Sequence, residues 1–197
     1  TSIFLGDIRD ESFLFWSKDY QNNTYYQKIE ASRLIEQTIF MDNLLGNLIT
    51  ELKQNGTFDK SLIIFTSDHG LQYGEFGLGG KALCYDTCLR VPLIIYDPRE
   101  QGAKRISNLV QSIDIAPTLL DFAGISIPKA MQGKSLLPLM RSEKINWRDA
   151  AFGENLWSTE YGNPRCETIR TSDFRYIRYF QNHNLNTNIL SKSPAQA

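Results

Sequence analysis

The fold of this chain is decided by the stretch Leu62-Ile63-Ile64-Phe65-Thr66-Ser67-Asp68-His69-Gly70. The apolar residues at its start do not alternate with polar ones, so they predict a strand over residues 61–66 that is buried on both faces. A carboxylate and an imidazole, Asp68 and His69, follow where that strand would end. Ligands gather at the carboxyl ends of strands in α/β sheets, so these two side chains are candidates for a functional site.

An ammonium group follows a short distance along the chain. Lys81 comes thirteen residues after Asp68, across a loop rich in glycine, and glycine lets a backbone approach a ligand closely. Oxygen and imidazole ligands bind a divalent cation, while a lysine neutralises an anion, so the layout suits a metal ion and an anionic substrate held together. The alternative is a simple turn, in which Asp68 caps a helix and Gly70 has a positive φ.

The segments on either side of this stretch predict an α/β sheet. Apolar residues recur every three or four positions from about 25 to 55, which predicts a long helix that ends at Gly56. A second apolar run, Val91–Tyr96, predicts another buried strand. Asp114 can cap a short helix over residues 115–123. The order helix, strand, loop, strand is typical of an α/β sheet flanked by helices.

Three short strands near the end of the chain predict a second, smaller sheet. They cover residues 150–155, 166–171 and 174–180. The dipeptide Ser172-Asp173 is the expected turn of a hairpin between the last two strands. We therefore expect a small antiparallel β subdomain, and a division of the chain into residues 1–148 and 149–197.

Composition and charge exclude several classes of protein. The chain has 197 residues, of which 42% are hydrophobic and 12% aromatic, so a packed core is expected rather than disorder. The formal net charge is −1 and no basic block is present, which argues against a nucleic-acid partner. No apolar run reaches the length of a membrane span.

The three cysteines, at positions 84, 88 and 166, occur in a chain with only two histidines. This set does not match a zinc finger. Two interpretations stay open, namely a Cys84–Cys88 disulfide in an exported protein, or buried free thiols.

Taken together, several strings resemble the sulfatase family, within the alkaline phosphatase superfamily, and they stand in the family's order. They are Met41–Leu52, Ile64–Gly70, Gly74–Lys81 with Tyr85-Asp86, Leu89–Pro98, Asp114–Leu120, Gly133–Pro138, and Ile169–Thr171 with Arg175–Ile177. The resemblance implies a partial alkaline-phosphatase-like sheet flanked by helices, followed by a small antiparallel sheet.

The resemblance also implies roles for three residues. Asp68 would be a ligand to Ca²⁺ or Mg²⁺, and His69 would be its neighbour on the metal. Lys81 would contact the sulfate and stabilise charge on the departing oxygen. This chemistry is consistent, because cleavage of a sulfate ester requires the neutralisation of charge on the sulfate oxygens and on the leaving oxygen.

The chain also departs from the family pattern. The family's nucleophile, a cysteine matured to formylglycine in a Cys-x-Pro/Ala-x-Arg string, and the acidic metal ligands before it are expected upstream of this chain. Residues Cys166–Arg170 mimic that spacing, but Thr168 replaces Pro or Ala, and we interpret the match as coincidence. Phe76 stands where many relatives have His. We therefore interpret the chain as the carboxyl-terminal portion of a sulfatase that lacks the amino-terminal part of the same domain, and expect it to be inactive alone.

The implied function is hydrolysis of a sulfate ester of a sugar or another organic sulfate. One alternative is a phosphoester hydrolase or phosphotransferase of the same superfamily, and another is an inactive fragment that lacks the nucleophile. An aromatic and arginine cluster that includes Trp157 and Arg165 suits a sulfated sugar, or else a seam between subdomains. The family implies a periplasmic or secreted protein.

Overall fold

The computed structural model describes residues 24–73, 75–81, 83–156 and 165–180. Four α-helices are present in this part of the chain: α1 Thr24–Gln54, α2 Asp86–Leu89, α3 Ile115–Phe122 and α4 Leu137–Met140. Its strands are β1 Ile63–Thr66, β2 Gln72–Tyr73, β3 Gly79–Gly80, β4 Leu93–Tyr96, β5 Ala151–Asn155, β6 Arg165–Arg170 and β7 Arg175–Phe180.

The long helix α1 confirms the prediction from apolar periodicity. It ends as expected at Gly56, whose φ of 65° is a conformation that glycine adopts without strain. The N–H of Gly56 donates to the carbonyl of Lys53, and the N–H of Thr57 donates to that of Leu52, which satisfies the last carbonyls of the helix. Its apolar stripe is exposed, with Ile35, Ile39, Phe40, Met41 and Leu48 each more than half accessible.

Strands β1 and β4 form a two-stranded antiparallel sheet. Ile63 pairs with Tyr96 and Thr66 pairs with Leu93. Both predicted strands are present, but the expectation that they are buried on both faces is wrong for this part of the chain. The apolar residues of β1 are only half-buried, and Ile94 of β4 is 63% exposed. Within the described residues each strand has one neighbour, so the faces of the pair are incompletely covered.

The predicted small antiparallel sheet is confirmed. Strands β5, β6 and β7 pair in that order, and residues on each strand alternate between an inner and an outer face. Between β6 and β7, the N–H of Thr171 donates to the carbonyl of Phe174 across the expected Ser172-Asp173 turn. The division of the chain after residue 148 stays a prediction.

Asp114 does not cap α3 with its side chain, contrary to expectation. It is completely buried, and its carboxylate instead accepts hydrogen bonds from the backbone N–H groups of Gln111 and Lys134, both at 2.8 Å. Arg148 also donates to it through both terminal nitrogens, with Nη2 to Oδ1 at 2.6 Å. The Asp114 carboxylate therefore links the segments that contain Gln111, Lys134 and Arg148. A local sequence pattern could not have shown its contacts with Lys134 and Arg148.

The pKa of Asp114 reflects this environment. Burial opposes its negative charge, but the hydrogen bonds from Arg148, Lys134 and Gln111 outweigh burial and hold the pKa below its ordinary value. A carboxyl whose pKa is lower in the folded state stabilises the protein above its unfolded pKa, and this contribution is lost as the pH falls through the folded pKa.

We expect Asp114→Asn to lower the free energy of unfolding by about 3 kcal/mol at pH 7, because Arg148 then keeps no counter-charge. The difference from the wild type should begin to shrink as the pH falls below about 4, the ordinary pKa of aspartate, and should be lost as the pH falls through the lowered folded-state pKa. Urea unfolding at pH 7 and near pH 3 measures both values. Asp149→Asn, at an exposed neighbouring position, is the control and should change little. An equal difference at the two pH values would contradict the ionised role of Asp114.

Candidate functional site

Asp68 and His69 lie directly after β1, as the sequence predicts. Two hydrogen bonds shape this turn. Ser67 Oγ donates to the carbonyl oxygen of His69 at 2.9 Å, and the backbone N–H of His69 donates to Asp68 Oδ1 at 2.8 Å. The Asp68 side chain is 82% exposed. The N–H donated by His69 is the main cause that lowers its pKa, and the carboxylate is therefore ionised at neutral pH.

Gly70 holds this turn against α2. Its N–H donates to the carbonyl of Cys88 at 2.7 Å. A Cβ atom at position 70 would lie 1.9 Å from the carbonyl oxygen of Thr87, so glycine is required there by close approach. The alternative reading as a simple turn is wrong in two details. Gly70 does not have a positive φ. Asp68 does not cap a helix either, since the next α-helix along the chain, α2, begins at Asp86.

Lys81 reaches the same point from the other side of the loop. The hairpin β2–β3, in which Gln72 pairs with Gly80, brings the chain back so that Lys81 follows directly after β3. Its Nζ lies 2.9 Å from His69 Nε2. The structure thus brings together the three side chains that the sequence singled out.

The proton of His69 can be assigned from its neighbours. An ammonium group only donates, so Nε2 must accept the hydrogen bond from Lys81. The proton then belongs on Nδ1, which lies 3.1 Å from the carbonyl oxygen of Gly70 and can donate to it. In this tautomer the single lone pair of Nε2 accepts from Lys81, so Nε2 could ligate a metal ion only after the Lys81 ammonium has moved away from it.

Two electron-rich atoms face each other in this turn. Asp68 Oδ2 and His69 Nε2 are 3.2 Å apart, and with the proton on Nδ1 both carry lone pairs. Such a contact is unfavourable unless a cation neutralises it, and the Lys81 ammonium lies beside it. Two ligands about 2.4 Å from one Ca²⁺ ion and 3.2 Å apart subtend roughly a right angle at that ion, so the pair fits one cation.

The described residues supply only part of a metal site. No group of three or more His, Cys, Asp or Glu side chains that could hold an ion occurs among them. Ca²⁺ takes six to eight oxygen ligands. Asp68 could supply an oxygen ligand and His69 a nitrogen ligand, and a complete site would need further donors.

The segment after Lys81 is tied to the small sheet by ion pairs. Asp86, at the start of α2, contacts Arg170 Nη1 at 2.6 Å through Oδ2, and Oδ1 contacts Arg175 Nη2. Arg175 Nη1 also donates to the carbonyl oxygen of Cys84 at 2.9 Å. Sequence reasoning did not assign a role to these charges. Arginines on a hairpin strand gave no signal of a partner more than eighty residues away.

Arg165 does not join the three converging side chains. It pairs in register with Phe180, on the face of the sheet opposite to Cys166, whose thiol contacts Cys84. Its contact with a substrate stays a proposal, and Trp157 lies outside the described residues. Cys166 is fully buried inside β6, which agrees with a coincidental match to the nucleophile motif.

Phe76 occupies a strained position in the loop between β2 and β3. Its φ is 60°, a region that bulky residues avoid. The ring is 66% exposed and stacks on Tyr85 at a centroid distance of 4.8 Å. A polar role at this position is therefore replaced by an aromatic contact with the segment that follows Lys81.

Two family models match this chain, and each covers more than half of it. The model described as Sulfatase matches residues 10–125, and the model described as N-sulphoglucosamine sulphohydrolase, C-terminal, matches residues 74–195. The chain belongs to the sulfatase family. The resemblance drawn from the sequence strings is confirmed.

Relatives of this sulfatase chain act on several kinds of ester. It is 32% identical, over 180 residues, to an N-acetylglucosamine-6-O-sulfatase of Bacteroides thetaiotaomicron, a match that covers 89% of this chain and 31% of that protein. A solved structure of a protein in complex with its substrate D-glucosamine-2-N,6-O-disulfate is 34% identical, with a TM-score of 0.65, and the match covers 74% of this chain and 30% of that one. A phosphonate monoester hydrolase of Agrobacterium radiobacter is 31% identical, with a TM-score of 0.63 and coverage of 70% and 30%.

These comparisons confirm the expected fold class, an α/β unit followed by a small antiparallel sheet. The chain spans about 31% of the length of the first of these relatives. Among the helices that the structure describes, none is both long and apolar enough to cross a bilayer.

We expect Gly70→Ala to destabilise the chain by more than about 2 kcal/mol, because the new methyl group overlaps the Thr87 carbonyl and the turn must move away from α2. Thermal unfolding of the variant measures this loss. Gly46→Ala is the matched control, since nothing lies within 4 Å of a Cβ atom there. In the middle of α1 it should stabilise the helix by roughly 0.5–1 kcal/mol. Equal effects at the two positions would contradict the close-approach argument.

Proposed function

We propose that the full-length protein carrying this chain hydrolyses sulfate esters, and that Asp68, His69 and Lys81 belong to its active site. The contact that supports this proposal most strongly is between Lys81 Nζ and His69 Nε2, at 2.9 Å. It places a positive charge beside a carboxylate and an unprotonated imidazole nitrogen, at a position open to solvent. An anionic ester that approaches this point meets the ammonium and any cation held by the other two side chains.

Asp68 and His69 would hold a divalent cation, Ca²⁺ or Mg²⁺. The carboxylate is ionised, and with the proton on Nδ1 the lone pair of Nε2 would ligate the cation once the Lys81 ammonium has moved away from it. A bound divalent cation would supply positive charge next to the sulfate oxygens. The Gly70 carbonyl, by accepting the Nδ1 proton, fixes the orientation of the imidazole ring.

Lys81 would stabilise the charge that develops on the departing oxygen. Its ammonium sits on a hairpin that is held by Gly79 and Gly80, so its position is set by backbone pairing. Charge stabilisation by a fixed donor is the largest single contribution in many hydrolases. The nucleophile, a formylglycine, would come from a segment outside this chain, and we expect the chain alone to be inactive.

The substrate is proposed to be a sulfated sugar. One relative is named for a sulfate ester of N-acetylglucosamine, and one solved neighbour holds a glucosamine disulfate. Arg165 and Trp157 stay candidates for contacts with such a sugar. We also expect the protein to work in the periplasm or outside the cell.

A second candidate function is hydrolysis of phosphate or phosphonate esters. The likeness to a phosphonate monoester hydrolase, at 31% identity over 70% of this chain, favours it. Both esters present tetrahedral oxyanions, which the same cation and ammonium can bind. Turnover of matched aryl sulfate and aryl phosphonate substrates distinguishes the two, and faster cleavage of the phosphonate would overturn the leading proposal.

We expect Lys81→Ala to lower the turnover of the full-length protein about 100-fold or more, because one fixed charge at the reacting group is lost. The measurement is the rate of sulfate release from a sulfated glucosamine. The unfolding temperature should stay unchanged, since Lys81 is exposed. Lys144→Ala, at another exposed lysine, is the matched control. Wild-type turnover in the Lys81 variant would remove this residue from the site.

We expect Asp68→Asn to raise the concentration of Ca²⁺ needed for half-maximal activity roughly 10–100-fold after removal of metal by a chelator. The amide keeps the shape of the carboxylate but loses its charge. Re-activation of the chelated protein with Ca²⁺ or Mg²⁺ measures this value for the variant and the wild type. Asp149→Asn serves as the control. An unchanged metal requirement would show that Asp68 is not a ligand.

A further inference from the structure

Two cysteine thiols from distant parts of the chain meet inside the protein. The sulfur atoms of Cys84 and Cys166 are 3.1 Å apart, although the residues are 82 positions apart in sequence. Both side chains are buried, at 1% and 0% exposure. A disulfide bond is about 2.05 Å long, so these sulfurs lie only about 1 Å beyond bonding distance.

The surrounding contacts hold the two sulfurs in place. Cys84 is fixed by the hydrogen bond from Arg175 to its carbonyl oxygen, and Asp86 next to it is held by Arg170 and Arg175. Cys166 lies on β6, the central strand of the small sheet. The pair is therefore positioned by elements on both sides of the contact.

The third cysteine has different neighbours. Cys88 is also buried, but its sulfur lies near oxygen atoms, with Gln72 Oε1 at 3.6 Å and the Gly80 carbonyl at 4.0 Å. In the structure all three cysteines are buried free thiols, which is one of the two interpretations that the sequence left open, and Cys84 is not bonded to Cys88.

We propose that Cys84 and Cys166 form a disulfide that fastens the segment after Lys81 to strand β6. The oxidant is a disulfide of the exchange class, such as oxidised glutathione or an oxidised dithiol oxidoreductase. The thiolate of one cysteine attacks that disulfide and releases one thiol. The second cysteine then attacks the mixed disulfide and releases the other. One S–S bond breaks, one forms, and the two electrons from the cysteines leave with the reduced oxidant.

The exchange takes place during folding, before Cys84 and Cys166 become buried. In the folded protein both thiols are buried, and a thiol that is buried in this way is out of reach of an exchange partner. An oxidising compartment supplies the exchange partner. The cross-link closes a long loop, and it restricts the unfolded chain more than the folded one.

Peptide mapping without reduction tests the pairing. The full-length protein is folded with oxidised glutathione, its remaining thiols are alkylated, and it is digested with trypsin. We expect peptide 82–90 joined to peptide 166–170. Because peptide 82–90 also contains Cys88, the Cys88→Ala variant is the control and should give the same joined pair. Alkylation of all three cysteines, or a bond within peptide 82–90, would overturn the proposal.

Thermal unfolding gives an independent measurement. Wild-type protein and Cys88→Ala, each prepared with and without a thiol reductant throughout, should unfold about 5–10 °C lower when reduced. Cys84→Ala and Cys166→Ala should show no such dependence. The comparison is made within each variant, so a general loss of stability does not obscure it. Equal unfolding temperatures of oxidised and reduced wild type would refute a cross-link. Neither measurement depends on sulfatase activity.

Discussion

The close approach of Gly70 to α2 is the constraint on which the candidate site depends. The Asp68-His69 turn is polar and exposed, and it has little apolar surface to hold it. A backbone hydrogen bond to Cys88, possible only because residue 70 has no Cβ atom, fixes it against a short helix. That helix begins at Asp86, which two arginines of the small sheet contact. The position of the Asp68-His69 turn thus depends on a series of contacts that runs through α2 to Arg170 and Arg175 in the small antiparallel sheet.

This arrangement explains how a loop rich in glycine can carry precise chemistry. Glycine loses more conformational entropy on folding than any other residue, so a loop rich in glycine keeps one conformation only where other contacts offset that loss. Here the hairpin pairing of β2 and β3 sets the position of Lys81, and the buried side chains of Leu78, Leu83 and Cys84 anchor the residues on both sides of it. The charged groups remain accessible, while the backbone that carries them is held by buried neighbours.

The sequence predicted the elements of the fold well because their signals are local. The helix before Gly56, both strands of the β1–β4 pair and the hairpin around Ser172 follow from periodicity and turn residues that lie within a few positions of each other. The burial of β1 was predicted less well, since it depends on what covers the strand. Asp114 shows the same limit. Its place before a helix suggested a cap, but Arg148, 34 residues away, binds its carboxylate.

For the site, the order of residues along the chain already shows which side chains are available: Asp68 and His69 follow a strand, and Lys81 follows the glycines. Folding is needed to bring the Lys81 ammonium to Nε2 of His69, Asp86 to Arg170 and Arg175, and the thiol of Cys84 to that of Cys166. Each of these contacts joins groups 12 to 89 positions apart. Their distances depend on how the backbone turns and packs, and no local pattern of residue types encodes that.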